Sequence, residues 1–248
     1  MELRAFALHT DRDRDARAGA RAALDGCELP GDLWPMVDGA GLSPADLSAT
    51  VGADLFTPAY PLSLGADEIG RFLTYRQIWA EIDRSGVDAA LILDGVTKID
   101  ADAFDDALDL AQPHIATLGL IAMRTAPCPG PSALIDTQGA ASLTVPQQSQ
   151  GRTPAQLVSH EAAVHFLALS DRFDRPVETF LNSHWHTGLR PASVQPCGID
   201  ANAPPELAPP PGGVWPRMRY DLAQRCYLRT VARAARGSAA PATGGFLS

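Results

Sequence analysis

Short apolar runs alternate with segments of helical periodicity along most of the chain. The clearest helix covers Asp67–Ser85, where apolar residues recur mostly at spacings of three and four, and Gly86 ends it. The next run, Ala89–Leu93, is apolar throughout, which is typical of a strand buried on both faces of a parallel sheet. This strand ends at Asp94-Gly95, and ligands of open α/β sheets bind beyond the carboxyl ends of strands.

The same periodicities predict the other elements. Further strands are predicted at Leu3–Leu8, Leu33–Val37, Leu118–Met123 and Ala192–Gln195. Helices are predicted at Arg12–Leu24, after Ser43 with Pro44 in the first turn, at Asp102–Leu110, from about Ser159 to Leu169 and at Tyr220–Arg236. Val177–Leu181 is predicted as a short helix or a turn. Residues 128–150, rich in Pro, Gly, Ser and Gln, predict a long loop around one short strand. Strands that alternate with helices indicate an α/β fold with a mostly parallel central sheet.

The chain is expected to form one main domain and a C-terminal extension. Residues 1–202 contain the whole predicted sheet. After it, residues 203–216 predict a Pro-rich linker, 217–236 a basic helix and 237–248 a disordered tail.

Charge is distributed unevenly along the chain. The net charge is −9, but residues 217–236 hold six arginines and one aspartate, so this stretch is +5 and the rest is −14. The acidic balance argues against nucleic acid as a partner. The basic stretch favours contact with an anionic membrane surface, and packing on the acidic body of the protein is an equally good interpretation.

Cysteine usage and hydropathy favour a cytoplasmic protein. The four cysteines are far apart and form no CxxC pair, which argues against a zinc site and for reduced thiols. The first residues contain no long apolar run, so no signal peptide is predicted, and no stretch approaches the ~18 apolar residues of a membrane helix. Peripheral attachment to the inner membrane through 217–236 is the alternative location.

The segment LSLGADEIGRFLTYRQIWAEIDRSGVDAALILDG resembles the signature region of glycosyltransferase family 25, the lipopolysaccharide and collagen glycosyltransferases. The family pattern is Gly-Glu-Ile-Gly-Cys, then Ser-His, Ile-Trp and a buried strand that ends in Glu-Asp-Asp. The matching residues are Glu68-Ile69-Gly70, Phe72-Leu73, Ile78-Trp79 and Ala90–Leu93. Weaker matches follow the family's order at Val37-Asp38-Gly39, Gly151-Arg152-Thr153 through Ser159, Pro176-Val177-Glu178 and Val194-Gln195-Pro196. The resemblance spans roughly residues 3–197.

The resemblance implies a Rossmann-like fold of glycosyltransferase type A. It also implies transfer of a hexose from a nucleotide sugar to a saccharide acceptor in lipopolysaccharide or surface-polysaccharide synthesis, by direct displacement with inversion. In this fold Mn²⁺ or Mg²⁺, held by clustered carboxylates, offsets the diphosphate charge. The implied catalytic candidates are Asp94 and Glu178, with Glu178 as base or orienting group for the acceptor hydroxyl. The candidates for donor binding are Thr10, Asp38, Gly39 and Lys98.

The chain departs from the family pattern mainly at polar positions. Arg71 stands in place of the cysteine, Thr74-Tyr75 in place of Ser-His, and Gln156 in place of a tyrosine. Asp94-Gly95-Val96 replaces Glu-Asp-Asp, and Glu178 replaces an aspartate. One carboxylate is a poor cage for a divalent cation, because glycine and valine offer no side-chain ligand.

Loss of the carboxylate cluster leaves three hypotheses for the site. Asp94 could hold a metal ion together with His184 and His186, Lys98 could pair with phosphate in a metal-independent transferase, or the protein could bind a sugar, nucleotide or partner enzyme without turnover. Each residue also has a structural interpretation. Asp94 suits an Asp-Gly turn and Glu178 a helix N-terminus, while Lys98 and the two histidines are typical of solvated surface.

Overall fold

The structure, a computed structural model, describes residues 1–11, 14–148, 151–201 and 214–246. Its strands are β1 Leu3–His9, β2 Gly31–Pro35, β3 Ala89–Asp94, β4 Val96–Ile99, β5 Leu120–Met123, β6 Ser132–Gln138, β7 Ala141–Pro146, β8 Ala155–Ser159, β9 Leu189–Arg190, β10 Ala192–Gln195, β11 Ile199–Ala201 and β12 Gly245–Phe246. Its helices are α1 Arg14–Gly26, α2 Pro44–Thr50, α3 Ala66–Ser85, α4 Ala101–Ala111, α5 Ile115–Leu118, α6 His160–Leu169, α7 Val177–Leu181, α8 His184–Thr187 and α9 Val214–Arg236, with 3-10 helices at Gly39–Gly41 and Gln112–His114. The predicted α/β class is confirmed.

Eight of these strands form one sheet in the order β2-β1-β3-β8-β5-β10-β7-β6. Six of the eight point in the same direction, while β7 and β8 point the opposite way. The prediction of a mostly parallel sheet is therefore confirmed for strand direction. Neighbouring pairs are mixed, however, because β8 is inserted antiparallel between β3 and β5. Two small antiparallel pairs, β4 with β11 and β9 with β12, stand beside this sheet.

Helices cover both faces of the sheet, and side-chain alternation along the central strands divides the core in two. In β1, Ala5 and Ala7 belong to one core, while Phe6 and Leu8 belong to the other. The first core includes α1 and α4, and the second includes α3, α6 and α7. The same division splits β3, which explains why Ala89–Leu93 is apolar at every position.

Residues 132–146 form a hairpin, which corrects the prediction of a long loop with one short strand at 128–150. The strands β6 and β7 pair antiparallel, and β7 also pairs with β10. Most side chains of the edge strand β6 are exposed, so its sequence lacks the apolar alternation that marks a half-buried strand. Gly139 supplies the turn between them with a φ of +56°.

Residues 237–246 fold back onto the domain, which corrects the prediction of a disordered tail at 237–248 for these residues, while 247 and 248 lie outside the described residues. Strand β12 pairs with β9, and the ring of Phe246 packs edge-on against His165 with centroids 5.3 Å apart. The hydroxyl of Ser238 lies 2.9 Å from Nδ1 of His184. Sequence patterns miss this docking because Phe246 is the one large apolar residue of the tail within the described range.

The predicted basic helix begins earlier than expected, at Val214, because α9 includes the last three residues of the predicted linker 203–216. The rest of that linker, residues 203–213, lies outside the described residues. Among the helices described, none combines the length and the apolar character needed to span a membrane.

Candidate functional site

The candidate site lies at the carboxyl end of β3, the strand that pairs with β1. Strand β2 joins β1 on one side and β3 joins it on the other, so the strand order changes direction at β1. Such a switch point opens a crevice in which ligands of open α/β sheets bind. Leu8 is opposite Asp94 in the register, so Asp94 and the residues that follow β1, including Thr10, share this edge.

Asp94, the last residue of β3, is the centre of an ion-pair cluster. Its side chain is 3% exposed, and both carboxylate oxygens accept hydrogen bonds from arginines. Nη1 of Arg71 donates to Oδ2, and Nη2 of Arg152 donates to Oδ1 at 2.5 Å. The hydroxyl of Tyr75 lies 3.4 Å from Oδ2 and donates to it. Gly95 has a φ of +73°, so Asp94-Gly95 also forms the predicted turn.

Close packing of α3 against the loop after β2 fixes the position of this helix. A Cβ atom at Gly70 would overlap the carbonyl oxygen of Val37, and one at Gly39 would overlap the carbonyl oxygen of Ala66. The hydroxyl of Thr74 accepts a hydrogen bond from the N–H of Val37 at 2.9 Å. Two residues of the family-like motifs, Gly70 and the predicted donor-binding residue Gly39, therefore have a packing role.

The register of α3 then directs two polar side chains at Asp94. Arg71 and Tyr75 are one helical turn apart, so they share a face of the helix. Burial raises the pKa of Tyr75 well above its ordinary value, which keeps the phenol a hydrogen-bond donor at neutral pH.

The antiparallel strand β8 brings Arg152 to the same place. Because β8 starts where β3 ends, the N–H of Asp94 donates to the carbonyl oxygen of Pro154 at 2.7 Å. Arg152, two residues earlier, then reaches the carboxylate. The guanidinium group passes close to Gly95, where a Cβ atom would lie 3.4 Å from Nη2 of Arg152.

Glu178, in the first turn of α7, adds a second carboxylate beside Arg71. Its Oε1 lies 3.8 Å from Nε of Arg71. Burial raises the pKa of Glu178, and the positive charge of Arg71 offsets only part of this effect. A carboxyl with a raised pKa suits proton transfer near neutral pH, and Glu178 also occupies the helix N-terminus that its structural interpretation requires.

The raised pKa of Glu178 predicts a pH-dependent gain of stability in Glu178→Gln. The folded chain binds this proton more tightly than the unfolded chain, so the contribution of Glu178 to stability is full below the ordinary pKa of 4.5 and is lost as the pH rises through the raised pKa. Glutamine stays neutral, so the free energy of unfolding of the variant should rise relative to wild type as the pH rises from the ordinary pKa of 4.5 through the raised pKa. Urea unfolding across this range measures the difference. The exposed Glu161→Gln is the control, and a difference for Glu178→Gln that does not change with pH would contradict the prediction.

A cleft opens beside these groups. It is narrow, with about 20 Å³ accessible to the centres of water molecules, and its walls contain Tyr75, Thr153, Gln156, Glu178 and Asn182. Tyr75, Gln156 and Glu178 are positions at which the chain departs from the family pattern. Arg71 and Asp94 are two more, and they form the adjoining ion pair. Five of the departures, although scattered in the sequence, therefore lie at one site.

The residues around Asp94 do not fit a divalent cation. Two guanidinium groups occupy both oxygens of its carboxylate, and their charge opposes a metal ion. The predicted partners are engaged elsewhere, because His184 faces Ser238 and the ring of His186 packs on Phe56 with centroids 4.0 Å apart. Within the described ranges, no group of three or more His, Cys, Asp or Glu side chains could hold a metal ion. In the structure the short helix α8 turns the imidazoles of His184 and His186, which were predicted to hold a metal ion with Asp94, to different neighbours.

The remaining donor-binding candidates have other surroundings. Asp38 is exposed, and its Oδ1 accepts the N–H of Ala40 at 3.1 Å, which caps the 3-10 helix Gly39–Gly41. Lys98 is exposed on β4, opposite Asp200 of β11. The cations that reach Asp94 are instead arginines. Thr10, which follows β1, is half-buried.

Sequence reasoning did not identify Arg71 and Arg152 as site residues. A signal exists for Arg71, because it and Tyr75 are polar groups one turn apart on a helix that otherwise buries an apolar face. No local signal exists for Arg152, because its contact depends on the antiparallel pairing of β8 with β3.

Comparison with known proteins leaves the function to be inferred from this geometry. A scan against models of protein families matches no family, and a search of curated proteins finds no match.

Proposed function

We propose that the chain is a glycosyltransferase of the type A fold that moves a hexose from a nucleotide sugar to a saccharide acceptor in lipopolysaccharide or surface-polysaccharide synthesis. In this proposal Arg71 and Arg152 offset the diphosphate charge in place of a metal ion. The observation that carries it is the convergence of these two arginines on Asp94 at the switch point of the sheet.

The chemistry of the donor supports arginines in this position. Transfer leaves negative charge on the departing nucleoside diphosphate, and fixed positive groups aimed at that charge lower the barrier. Guanidinium groups bind phosphate oxygens through several N–H donors at once. The side chains of Arg71 and Arg152 are 17% and 19% exposed, so donors that Asp94 does not engage remain open to a ligand.

Glu178 would act on the acceptor. As the acceptor oxygen forms a bond with the anomeric carbon of the hexose, its proton would pass to the carboxylate of Glu178. The bond from that carbon to the diphosphate oxygen breaks, and its electron pair leaves with the diphosphate. Direct displacement of this kind inverts the anomeric configuration. In this scheme Asp94 is a positioning residue, because it holds the two guanidinium groups at the strand end.

A second candidate function is binding of the nucleotide sugar without turnover. The observation that favours it is the charge balance, since two carboxylates, Asp94 and Glu178, face two arginines. When both acids are ionised, the four groups carry no surplus positive charge for a leaving diphosphate.

A thermal-shift titration with nucleoside diphosphates and sugar nucleotides, in EDTA and with Mn²⁺, tests both functions. A ligand at about one hundred times its Kd stabilises the folded chain by about 2.7 kcal/mol, which moves the melting temperature measurably. Release of nucleoside diphosphate in the presence of saccharide acceptors measures turnover. The matched pair is Arg152→Ala against Arg172→Ala, because Arg172 is an exposed arginine that donates to the carbonyl oxygen of Val51.

The outcomes separate the alternatives. Stabilisation and turnover in EDTA, both lost in Arg152→Ala and kept in Arg172→Ala, support the proposed transferase. Stabilisation without turnover supports the binding function instead. Stabilisation that requires Mn²⁺, or none with any nucleotide, would overturn the role given to Arg71 and Arg152.

A further inference from the structure

Helix α9 presents two different faces. On its inner side Val231 and Ala235 are buried, and the ring of Tyr227 packs edge-on against Tyr60 with centroids 5.5 Å apart. Contacts with α8 add to this attachment. The helix is therefore held on the domain through one face, and its orientation is fixed with respect to the domain surface.

The opposite face carries a row of arginines, here called the cationic stripe, which consists of Arg225, Arg229, Arg233 and Arg236. Spacings of four, four and three residues place these exposed side chains along one side of the helix. The stripe continues toward the N-terminus with Met218 and Leu222, which are 56% and 64% exposed. Leu228 is also exposed, on the flank of the stripe.

Helix stability does not account for this arrangement. Favourable interaction of cations with the helix dipole is confined to the last turn, which includes Arg233 and Arg236 but not Arg225 and Arg229. Like charges four residues apart repel each other and destabilise a helix. In the described part of the chain, no carboxylate lies within ion-pair distance of Arg225, Arg229 or Arg233.

We propose that the cationic stripe, with Met218, Leu222 and Leu228, is a docking surface for a membrane that contains anionic lipids. Arginines beside exposed aliphatic side chains match the two layers of such an interface, because the guanidinium groups meet the headgroups while the aliphatic groups enter the acyl boundary. The −14 of the chain is carried by residues outside 217–236, so the cationic stripe is the part of the chain that suits an anionic surface. A flexible acidic polymer offers no place for the aliphatic groups. This inference is independent of the chemistry at Asp94.

Flotation of the full chain with phosphatidylcholine vesicles, prepared with and without phosphatidylglycerol, tests the proposal. The chain should float with the anionic vesicles, remain behind with the neutral ones, and dissociate when salt is raised. Each arginine near such a surface contributes roughly fivefold to partitioning, so Arg225→Gln, Arg229→Gln and Arg233→Gln together should weaken it about one hundredfold. The matched control replaces Arg14, Arg17 and Arg21 by glutamine, because these three are exposed on α1 and the change in net charge is the same. Circular dichroism and thermal unfolding of both triple variants verify that they are folded.

A second variant separates a membrane from other anionic partners. Leu222→Ser with Met218→Ser should reduce vesicle binding with all arginines intact, because the aliphatic groups no longer enter the acyl boundary. Equal losses in the α9 and α1 variants, or binding that the serine variant leaves unchanged, would overturn the proposal. Binding to heparin without flotation on anionic vesicles would also overturn the proposal. Dimerisation in solution through the cationic stripe would overturn it as well.

Discussion

Asparagine in place of Asp94 is expected to lower the free energy of unfolding by about 3 kcal/mol and, at the same time, to leave the binding of inorganic pyrophosphate intact or stronger. The loss of stability follows because the variant retains two largely buried guanidinium groups without their shared carboxylate. The binding result follows because the variant removes a negative charge that repels pyrophosphate from Arg71 and Arg152.

Urea unfolding of Asp94→Asn, with and without pyrophosphate in EDTA, measures both effects. Pyrophosphate should stabilise the variant at least as much as it stabilises wild type. Asp32→Asn is the control, because Asp32 pairs with Arg4 at the surface and such pairs are worth less than about 1 kcal/mol. An unfolding free energy equal to that of wild type would show that the ion pairs at Asp94 do not hold this edge of the sheet. Weaker pyrophosphate binding would show that loss of positioning by Asp94 outweighs the removal of its negative charge, and would contradict the prediction.

Alanine in place of Arg175 is expected to have a still larger effect on stability. The side chain of Arg175 is 0% exposed, and its Nε donates to Oδ1 of Asp174 at 2.7 Å. One Nη group donates to the carbonyl oxygens of Phe56 and Pro58, which ties the loop before α3 to the segment before α7. Removing one partner of a buried pair costs about 3–5 kcal/mol, because the other charge stays buried without compensation. For a chain of this length that is a fall in melting temperature of about 6–20 °C.

Differential scanning calorimetry of Arg175→Ala tests this expectation. The neighbouring Arg172→Ala should change the free energy of unfolding by less than about 0.5 kcal/mol, because its side chain is exposed. Replacement of both Asp174 and Arg175 by leucine should recover part of the loss, because no lone charge then remains in the core. A small effect of Arg175→Ala would mean that the loop at Phe56 and Pro58 is held by other contacts.

The fold is predictable from sequence where apolar patterns are strong. The helix expected at Asp67–Ser85 is α3, Ala89–Leu93 is the fully buried β3, and Ser43 caps α2 with Pro44 in the first turn. Patterns fail where few apolar side chains take part in pairing. The edge strand β6 is mostly exposed, and β12 contains two residues.

The candidate site is predictable in its location but not in its charge. The position of Asp94 after a buried strand, and of Glu178 in a helical first turn, follows from local pattern and from the family resemblance. The partners of Asp94 depend on tertiary structure. Lys98 is close to Asp94 in the sequence, but β4 turns away at Gly95 to pair with β11. Arg152 is remote from Asp94 in the sequence, but it lies beside Asp94 because β8 is antiparallel to β3 and begins where β3 ends.

The position of β8 also sets the order in which the sheet can be assembled during synthesis. Strand β3 can pair with β1 as soon as it is synthesised. Its other edge and one edge of β5 can pair only after residues 155–159 have left the ribosome. Both waiting strands are apolar along almost their whole length, and an unpaired apolar edge is a template for association with other chains. A nascent chain paused between residues 123 and 155 is therefore the form of this protein most in need of a chaperone. The contact between Arg152 and Asp94 can form only when that stage has passed.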